Sequence, residues 1–302
     1  MVTELITMGN ECNLNCVFCG VTADTMNKNL LSDSNTKFIK RIKECKKRNV
    51  DLICLTGGEP TYDKELLLKL YHIKKNRMDS AIITNGIRLS NLEFTRKLKY
   101  YGLKIASVSL HGDKKEIHDR ITEQKGSFDK TVLGIKNLIS EKIETHIILV
   151  ISSLNYMFFK DYVAFIHKEF PRIPIYINYI APIGVAKSKL EYMPKISETL
   201  THIKQGLDFA NKNRMIVKFQ NHFGLPQCFF PEYENNFPKT FNCFFSIEEG
   251  TKDECTKCKR EHCEFSKIDK MKFEKCNSCE WTNICTGWWK KYIEIYGNGE
   301  FK

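Results

Sequence analysis

The stretch Asn10-Glu11-Cys12-Asn13-Leu14-Asn15-Cys16-Val17-Phe18-Cys19-Gly20 sets Cys12, Cys16 and Cys19 in Cys-x3-Cys-x2-Cys spacing. Four cysteines are the usual protein ligand set of a cubane iron–sulfur cluster, so three thiolates on one loop would hold three irons and leave one open. The next cysteine, Cys45, lies too far along for this loop to use. An open iron turns an electron-transfer cluster into one that can bind a ligand. Other uses fit the triplet poorly. A disulfide pairing leaves one cysteine over, and zinc ribbons are built from Cys-x2-Cys pairs.

A short apolar strand at 5–8 leads into this loop, and 32–48 reads as a helix with Ser32 or Ser34 as its cap. A compact apolar strand at 52–56 ends in Gly57-Gly58-Glu59-Pro60. The next helix is capped by Asp63 and carries Leu66, Leu67, Leu70 and Ile73. A third strand, 81–84, closes on Asn85-Gly86, and a helix from Asn91 stops at Gly102. The fourth strand, 105–110, precedes His111-Gly112. His118 to Thr122 reads as a loop before a helix that Ser127 caps. Strands at 145–151 and 175–180 flank a helix at 158–166, and a helix at about 197–213 closes this half.

Six strands alternating with helices imply βαβ units and a parallel sheet. In such folds the site lies at the carboxyl ends of the strands. The cysteine loop, Gly57 to Pro60, Asn85-Gly86, Ser109 to Gly112 and Pro182 to Gly184 all fall there. Periodicity alone leaves a barrel and a doubly wound sheet open.

Cys-x3-Cys-x2-Cys with an aromatic residue, Phe18, before the last cysteine resembles the signature of the radical SAM superfamily. The resemblance implies an α/β fold, a partial (βα)6 barrel, over residues 1–213. It implies a 4Fe-4S cluster on Cys12, Cys16 and Cys19 that cleaves S-adenosyl-L-methionine to a 5′-deoxyadenosyl radical. That radical takes hydrogen from a substrate. Gly57-Gly58-Glu59-Pro60 matches the family's second motif, and Phe18, Gly57, Gly58, Glu59, Asn85, Ser109 and His111 are the expected cofactor contacts. Ser107 shares a face with Ser109. His118, Asp119 and Arg120 are assigned no role, and no catalytic side chain is named. Cys45 and Cys54 read as small core residues.

After about residue 214 the texture changes. A strand at 215–219 opens a tail holding Cys228, Cys243, Cys255, Cys258, Cys263, Cys276, Cys279 and Cys285, and a helix carrying Trp289, Tyr292, Ile293 and Tyr296 ends it. Cys255-x2-Cys258 and Cys276-x2-Cys279, seventeen residues apart, fit a zinc ribbon. Eight cysteines can equally supply two four-cysteine clusters. Residues 214–302 resemble the SPASM or twitch extensions of radical SAM enzymes, which hold auxiliary 4Fe-4S clusters. Cys276-x2-Cys279-x5-Cys285 has the SPASM core spacing, and Gly250-x4-Cys255 its earlier element. Trp289 stands where that spacing puts a further cysteine. The resemblance therefore implies one or two auxiliary clusters, with all eight tail cysteines as the ligand pool.

The 302 residues carry 42% hydrophobic and 27% charged side chains, an ordinary globular composition. No apolar run approaches a membrane span and no signal peptide is visible, so a cytoplasmic protein without a membrane partner is expected. In a reducing compartment thirteen cysteines form a metal inventory. The net charge of +11 favours an anionic partner, but its densest stretch, 37–48, is an amphipathic helix with a solvated basic face. No motif for nucleic acid accompanies it, so nucleic acid is not expected. The expected activity is oxidative modification or maturation of a peptide, served by a low-potential reductant such as flavodoxin or ferredoxin. The alternative is a radical SAM dehydrogenase or rearrangement enzyme acting on a small molecule. From a different class stands a non-catalytic zinc-ribbon protein that binds nucleic acid.

Overall fold

The computed structural model describes residues 2–20, 35–220, 223–239 and 270–301. Ser32, Ser34, Cys243, Gly250, Cys255, Cys258 and Cys263 lie outside the described residues.

One parallel sheet holds seven strands in sequence order. They are β1 (Thr3–Thr7), β2 (Leu52–Thr56), β3 (Asp79–Thr84), β4 (Leu103–Ser109), β5 (Glu144–Ile151), β6 (Ile175–Tyr179) and β7 (Val217–Phe219). Between them run α1 (Asn35–Lys47), α2 (Leu66–Lys75), α3 (Leu92–Tyr101), α4 (Lys115–Thr122), α5 (Ser127–Ser140), α6 (Phe159–Glu169) and α7 (Ile196–Lys212). The sheet thus has one strand more than the six expected. The run read as opening the tail pairs in parallel with β6, Ile175 opposite Val217 and Ile177 opposite Phe219. Val217 and Phe219 are buried on either side of a half-buried Lys218, the alternation a strand needs. Contacts divide the chain into two compact units, Met1–Ile148 and Leu149–Lys302. The boundary read from composition near residue 213 falls inside the second.

In the first unit β2 is buried along its length, Leu52, Ile53 and Leu55 wholly and Cys54 nearly so. A parallel strand covered on both faces requires that apolar run. Helix α1 buries Phe38, Ile42 and Cys45 and turns its lysines outward, so the basic stretch is a helix face. Burial pushes the Cys54 thiol up to about 12 and raises Cys45, as expected of core cysteines. Asn91 caps α3 by accepting the Phe94 N–H at 2.9 Å, and Gly102 ends it at φ +116°. Glu65 stands at the N-cap of α2. Asp63, expected to cap it, accepts the Glu65 N–H at 2.7 Å and the buried Lys69 ammonium at 2.6 Å.

Residues His118 to Thr122, expected as a loop, belong to α4. His118, Ile121 and Thr122 are buried on one face, and the Thr122 hydroxyl donates back to the His118 carbonyl at 3.0 Å. The helix is only eight residues long and its N-cap, Lys114, makes no side-chain cap bond, so it lacks the length and the start signal by which a helix is read.

In the second unit the tail adds β8 (Lys270–Met271), antiparallel to β9 (Trp288–Trp289), and α8 (Lys290–Tyr296). Trp289, expected on the final helix, lies on β9. The rest of the stripe packs: Tyr292 is fully buried, and its hydroxyl accepts the Ile196 N–H at 2.7 Å and donates to Glu300. Tyr296 donates to the Met193 carbonyl at 2.7 Å. A buried Trp or Tyr hides about 150–250 Å² of surface, roughly 4–6 kcal/mol at most, so Trp288 and Tyr292 hold much of this small region.

Candidate active site

The cysteine loop is stitched to its surroundings through its backbone. Met8 N–H donates to the Thr56 carbonyl at 2.7 Å, Gly58 N–H to Gly9 at 2.8 Å and Glu59 N–H to Glu11 at 2.7 Å. On the other flank Asn15 and Val17 donate at 3.2 and 3.0 Å to the Thr122 and Ile121 carbonyls, which end α4 and need partners. Leu14 and Val17 are buried, whereas Cys12 is exposed and Cys16 and Cys19 half-buried. The loop therefore buries its apolar side chains and leaves Cys12 the most exposed of its three cysteines. Gly57 has φ +133°, and a Cβ there would stand 2.6 Å from the Gly9 carbonyl; one at Gly58 would collide with the Glu11 carbonyl. Both glycines are required by the cysteine loop itself.

Glu59, one of the expected cofactor contacts, is buried and already engaged. Its Oε1 accepts the Thr61 N–H at 3.0 Å, the Thr61 hydroxyl at 2.6 Å and the Thr84 hydroxyl at 2.6 Å; Oε2 accepts the Asn85 N–H at 2.7 Å. Burial raises this carboxyl above its ordinary range, and the four hydrogen bonds oppose that rise. The side chain is first of all a brace between two strand ends. Asn85 passes the order onward: its Nδ2 donates to Asn13 Oδ1 at 2.8 Å and lies 3.9 Å from Cys12 Sγ. Its Oδ1 accepts the Ile87 N–H at 3.0 Å. A sequence reading does not find Asn13, Thr61 or Thr84. Thr61 is within local reach of Glu59, but nothing in the sequence ties Thr84 to it.

His111 stacks on His118 with centroids 5.9 Å apart and meets Phe18 edge-on at 5.0 Å. The His111 N–H donates to His118 Nδ1 at 3.0 Å, so the neutral imidazole of His118 carries its proton on Nε2. Burial lowers both rings, His118 to about 4. Asp119 is a helix cap: it accepts from Gly126 N, Ser127 Oγ and Phe128 N at 2.6, 2.9 and 2.8 Å. Burial would raise it, but those bonds hold it below the usual carboxylate range. Gly126, not Ser127, is the N-cap residue of α5.

On the sheet, Ile83 pairs with Ser107, Ser107 with His146, and Ser109 with Ile148. Ser107, Ser109 and His146 therefore share one face. Ser107 and His146 are buried, with His146 Nε2 3.0 Å from Glu144 Oε1, while Ser109 stays half-buried at the carboxyl end. Within the first unit, backbone and side-chain contacts thus link the cysteine loop to Gly58, Glu59, Asn85 and His111, and Ser109 lies two residues before His111. The turn from Pro182 to Gly184 lies in the second unit, past the end of β6.

In the second unit Cys228, Cys276, Cys279 and Cys285 line one cavity, together with Phe273 and Trp288. Cys228 is exposed by surface area yet densely surrounded. That crowding pushes its thiol up to about 12, with Cys285, Cys279 and Cys276 as the next causes. Burial also raises Cys285, against the pull of Lys270 and Lys272. Among the described residues no three His, Cys, Asp or Glu side chains stand close enough to share a single metal ion.

The donor set of the first loop fits a cubane cluster. Cys12 Sγ receives the Leu14 N–H at 3.4 Å besides the Asn85 amide, the hydrogen bonds that a metal-bound thiolate takes. Burial, then the charges of Cys19 and Cys12, pushes Cys16 up to about 12, so ligation there displaces a proton.

A parallel α/β sheet whose first loop presents three such thiols beside a strand-end brace defines a cluster-dependent enzyme. The chain belongs to the radical SAM superfamily, which it matches over residues 6–166, more than half its length. It is a radical SAM enzyme, and the family implies a 4Fe-4S cluster and S-adenosylmethionine as its cofactors. A probable GTP 3′,8-cyclase of Sulfurisphaera tokodaii is 26% identical over 207 residues, 67% of this chain and 64% of that protein. The Fe-coproporphyrin III synthase of Methanosarcina barkeri is 34% identical over 149 residues, 49% of this chain and 36% of that one. The chain thus spans less than two thirds of the length of these relatives. SuiB of Streptococcus suis, solved with S-adenosylmethionine, shares the fold at a TM-score of 0.66 and 15% identity, over 97% of this chain and 74% of SuiB. A second SuiB structure carries its precursor peptide SuiA. No helix among the described residues is long and apolar enough to cross a membrane.

Proposed function

We propose that Cys12, Cys16 and Cys19 hold the SAM-cleaving cluster and that the enzyme abstracts hydrogen from an anionic small molecule. When bound, the cluster and S-adenosylmethionine supply a 5′-deoxyadenosyl radical. The chain's own residues position: Gly57 and Gly58 let the cysteine loop approach the strand ends, Glu59 and Thr84 fix Asn85, and Asn85 steadies Cys12. Ser109 and His111 lie where cofactor or substrate would be met. The observation that carries this reading is the hydrogen-bonded path Glu59–Asn85–Cys12, which ties the second motif to the first.

The substrate class rests on two supports. The sequence relatives are named for GTP and for a coproporphyrin, both anionic small molecules, and this chain carries a net charge of +11. The peptide reading has the fold likeness to SuiB and the same basic charge behind it. In both readings a low-potential reductant such as flavodoxin or ferredoxin supplies the electron, and the thiol-rich chain works in the cytoplasm. We further propose that the tail carries at least one auxiliary cluster.

The test is anaerobic reconstitution followed by dithionite. The parent chain should release 5′-deoxyadenosine from S-adenosylmethionine, and Cys16→Ala should release none while keeping its tail iron. Nucleoside triphosphates and porphyrin carboxylates should stimulate turnover and acidic peptides should not. Stimulation by peptides alone would reverse the substrate assignment.

A further inference from the structure

We propose that Cys228, Cys276, Cys279 and Cys285 form one complete four-thiolate site for a 4Fe-4S cluster, with the Trp288 indole N–H as a donor to it, and that this site is closed to substrate. The inference rests on the reading of the tail as an auxiliary-cluster region and says which residues build it.

Spacing along the chain nominates only three of these residues. Cys276, Cys279 and Cys285 follow one another on a short segment, and a cubane held by them alone would keep an open iron. Among the described residues the one further cysteine on the same cavity is Cys228, on the single turn Gln227–Phe229, and its thiol lies within the electrostatic field of the other three. Among the described residues no three of them stand together as a ready mononuclear shell, and four irons at the corners of a cubane can each take one thiolate.

Trp288 supplies the second, independent observation. It lines the same cavity, is 1% exposed, and its Nε1 has no hydrogen-bond partner among the described residues. A buried N–H without a partner costs about 1–3 kcal/mol. A cluster sulfur is the acceptor that this cavity would supply. Lys272 lines the same cavity and adds positive charge; its Nζ donates to the Thr282 carbonyl at 2.5 Å. A cubane with four thiolates is net negative, so this ammonium group nearby favours its presence. With four protein ligands no iron is left for substrate. The cluster then serves as a fold support or an electron carrier, in contrast to the three-cysteine loop of the first unit.

The experiment uses the full chain, reconstituted anaerobically, with iron content, electron paramagnetic resonance and potentiometry as readouts. Cys228→Ala and Cys276→Ala should each lose about four irons per chain, the content of one cubane. S-adenosylmethionine binding at the first loop should persist in both, as a control for folding. Cys228→Ser keeps the side-chain volume and should change the tail cluster's signal. Trp288→Phe should keep all its iron and lower the midpoint potential of the tail cluster, because a lost N–H donor disfavours the more negative reduced state. Parental iron and signal in both Cys228 variants would overturn the four-thiolate assignment, and an unchanged potential in Trp288→Phe would overturn the donor. Full iron in Cys276→Ala would instead remove the auxiliary-cluster reading itself.

Discussion

Glu59 and Asn85 are joined by a 2.7 Å hydrogen bond from the Asn85 backbone N–H to Glu59 Oε2, and it links the end of β2 to the end of β3. The Thr84 hydroxyl, 2.6 Å from Oε1, doubles the link. Because the Asn85 side chain also reaches Asn13 and Cys12, a buried carboxylate far from solvent orders the cysteine loop. In Glu59→Gln an amide N–H₂ would replace one acceptor and face a donor. The unpaired buried group should cost about 1–3 kcal/mol. Chemical denaturation should record that loss, and S-adenosylmethionine affinity should fall with it. Equal stability in the variant would mean that the brace is not formed.

Gly58→Val separates two roles for the second motif. A side chain there collides with the Glu11 carbonyl, so the cysteine loop has to shift before any ligand is met. We expect reduced iron loading at the first site, read as a loss of about four irons per chain in a background that lacks Cys276 and Cys279. Full loading with weakened cofactor binding would place the role of Gly58 at the ligand instead.

The histidine pair predicts a pH dependence. Burial holds His118 down to about 4 and lowers His111, on which His118 charge acts as a second cause. An unfolded histidine takes up its proton near pH 6.5. As pH falls from 6.5 to about 4, the unfolded chain binds protons that the folded chain refuses. Stability should therefore decline across that window, by up to about 3 kcal/mol for His118, and be independent of this group above it. Thermal melts should show a shallower decline in His118→Phe. An identical slope would remove His118 as its source.

How far the sequence could be read depended on the distance over which each interaction acts. The compact apolar run of β2 and the Asn91 and Gly102 signals of α3 are local, and they were legible to the residue. Helix α4 was not, because it is only eight residues long and its N-cap, Lys114, gives no capping signal. The cysteine triplet stood out because its spacing is short. The brace at Glu59 did not, since Thr84 and Asn85 lie more than twenty residues away and are polar residues like many others. Cys228 is the same case on a larger scale: nothing in its own surroundings ties it to Cys276, and only the fold brings both to one cavity.

Ser109 and Ser107 point from the same face of β4 but differ in what surrounds them. Ser107 is buried in a row with Ile83 and His146, whereas Ser109 is half-buried at the strand end, and its hydroxyl has no partner among the described residues. A hydroxyl left available at the strand end can hydrogen-bond a ligand that its buried neighbour cannot reach. Ser109→Ala should weaken S-adenosylmethionine binding about five-fold, the equivalent of one neutral hydrogen bond near 1 kcal/mol, with iron content and melting temperature unchanged. Ser107→Ala should leave affinity as it was. Calorimetric titration of the two variants distinguishes them. Equal affinities in Ser109→Ala and the parent would remove Ser109 from the cofactor site, and a drop in Ser107→Ala alone would move the contact deeper along β4.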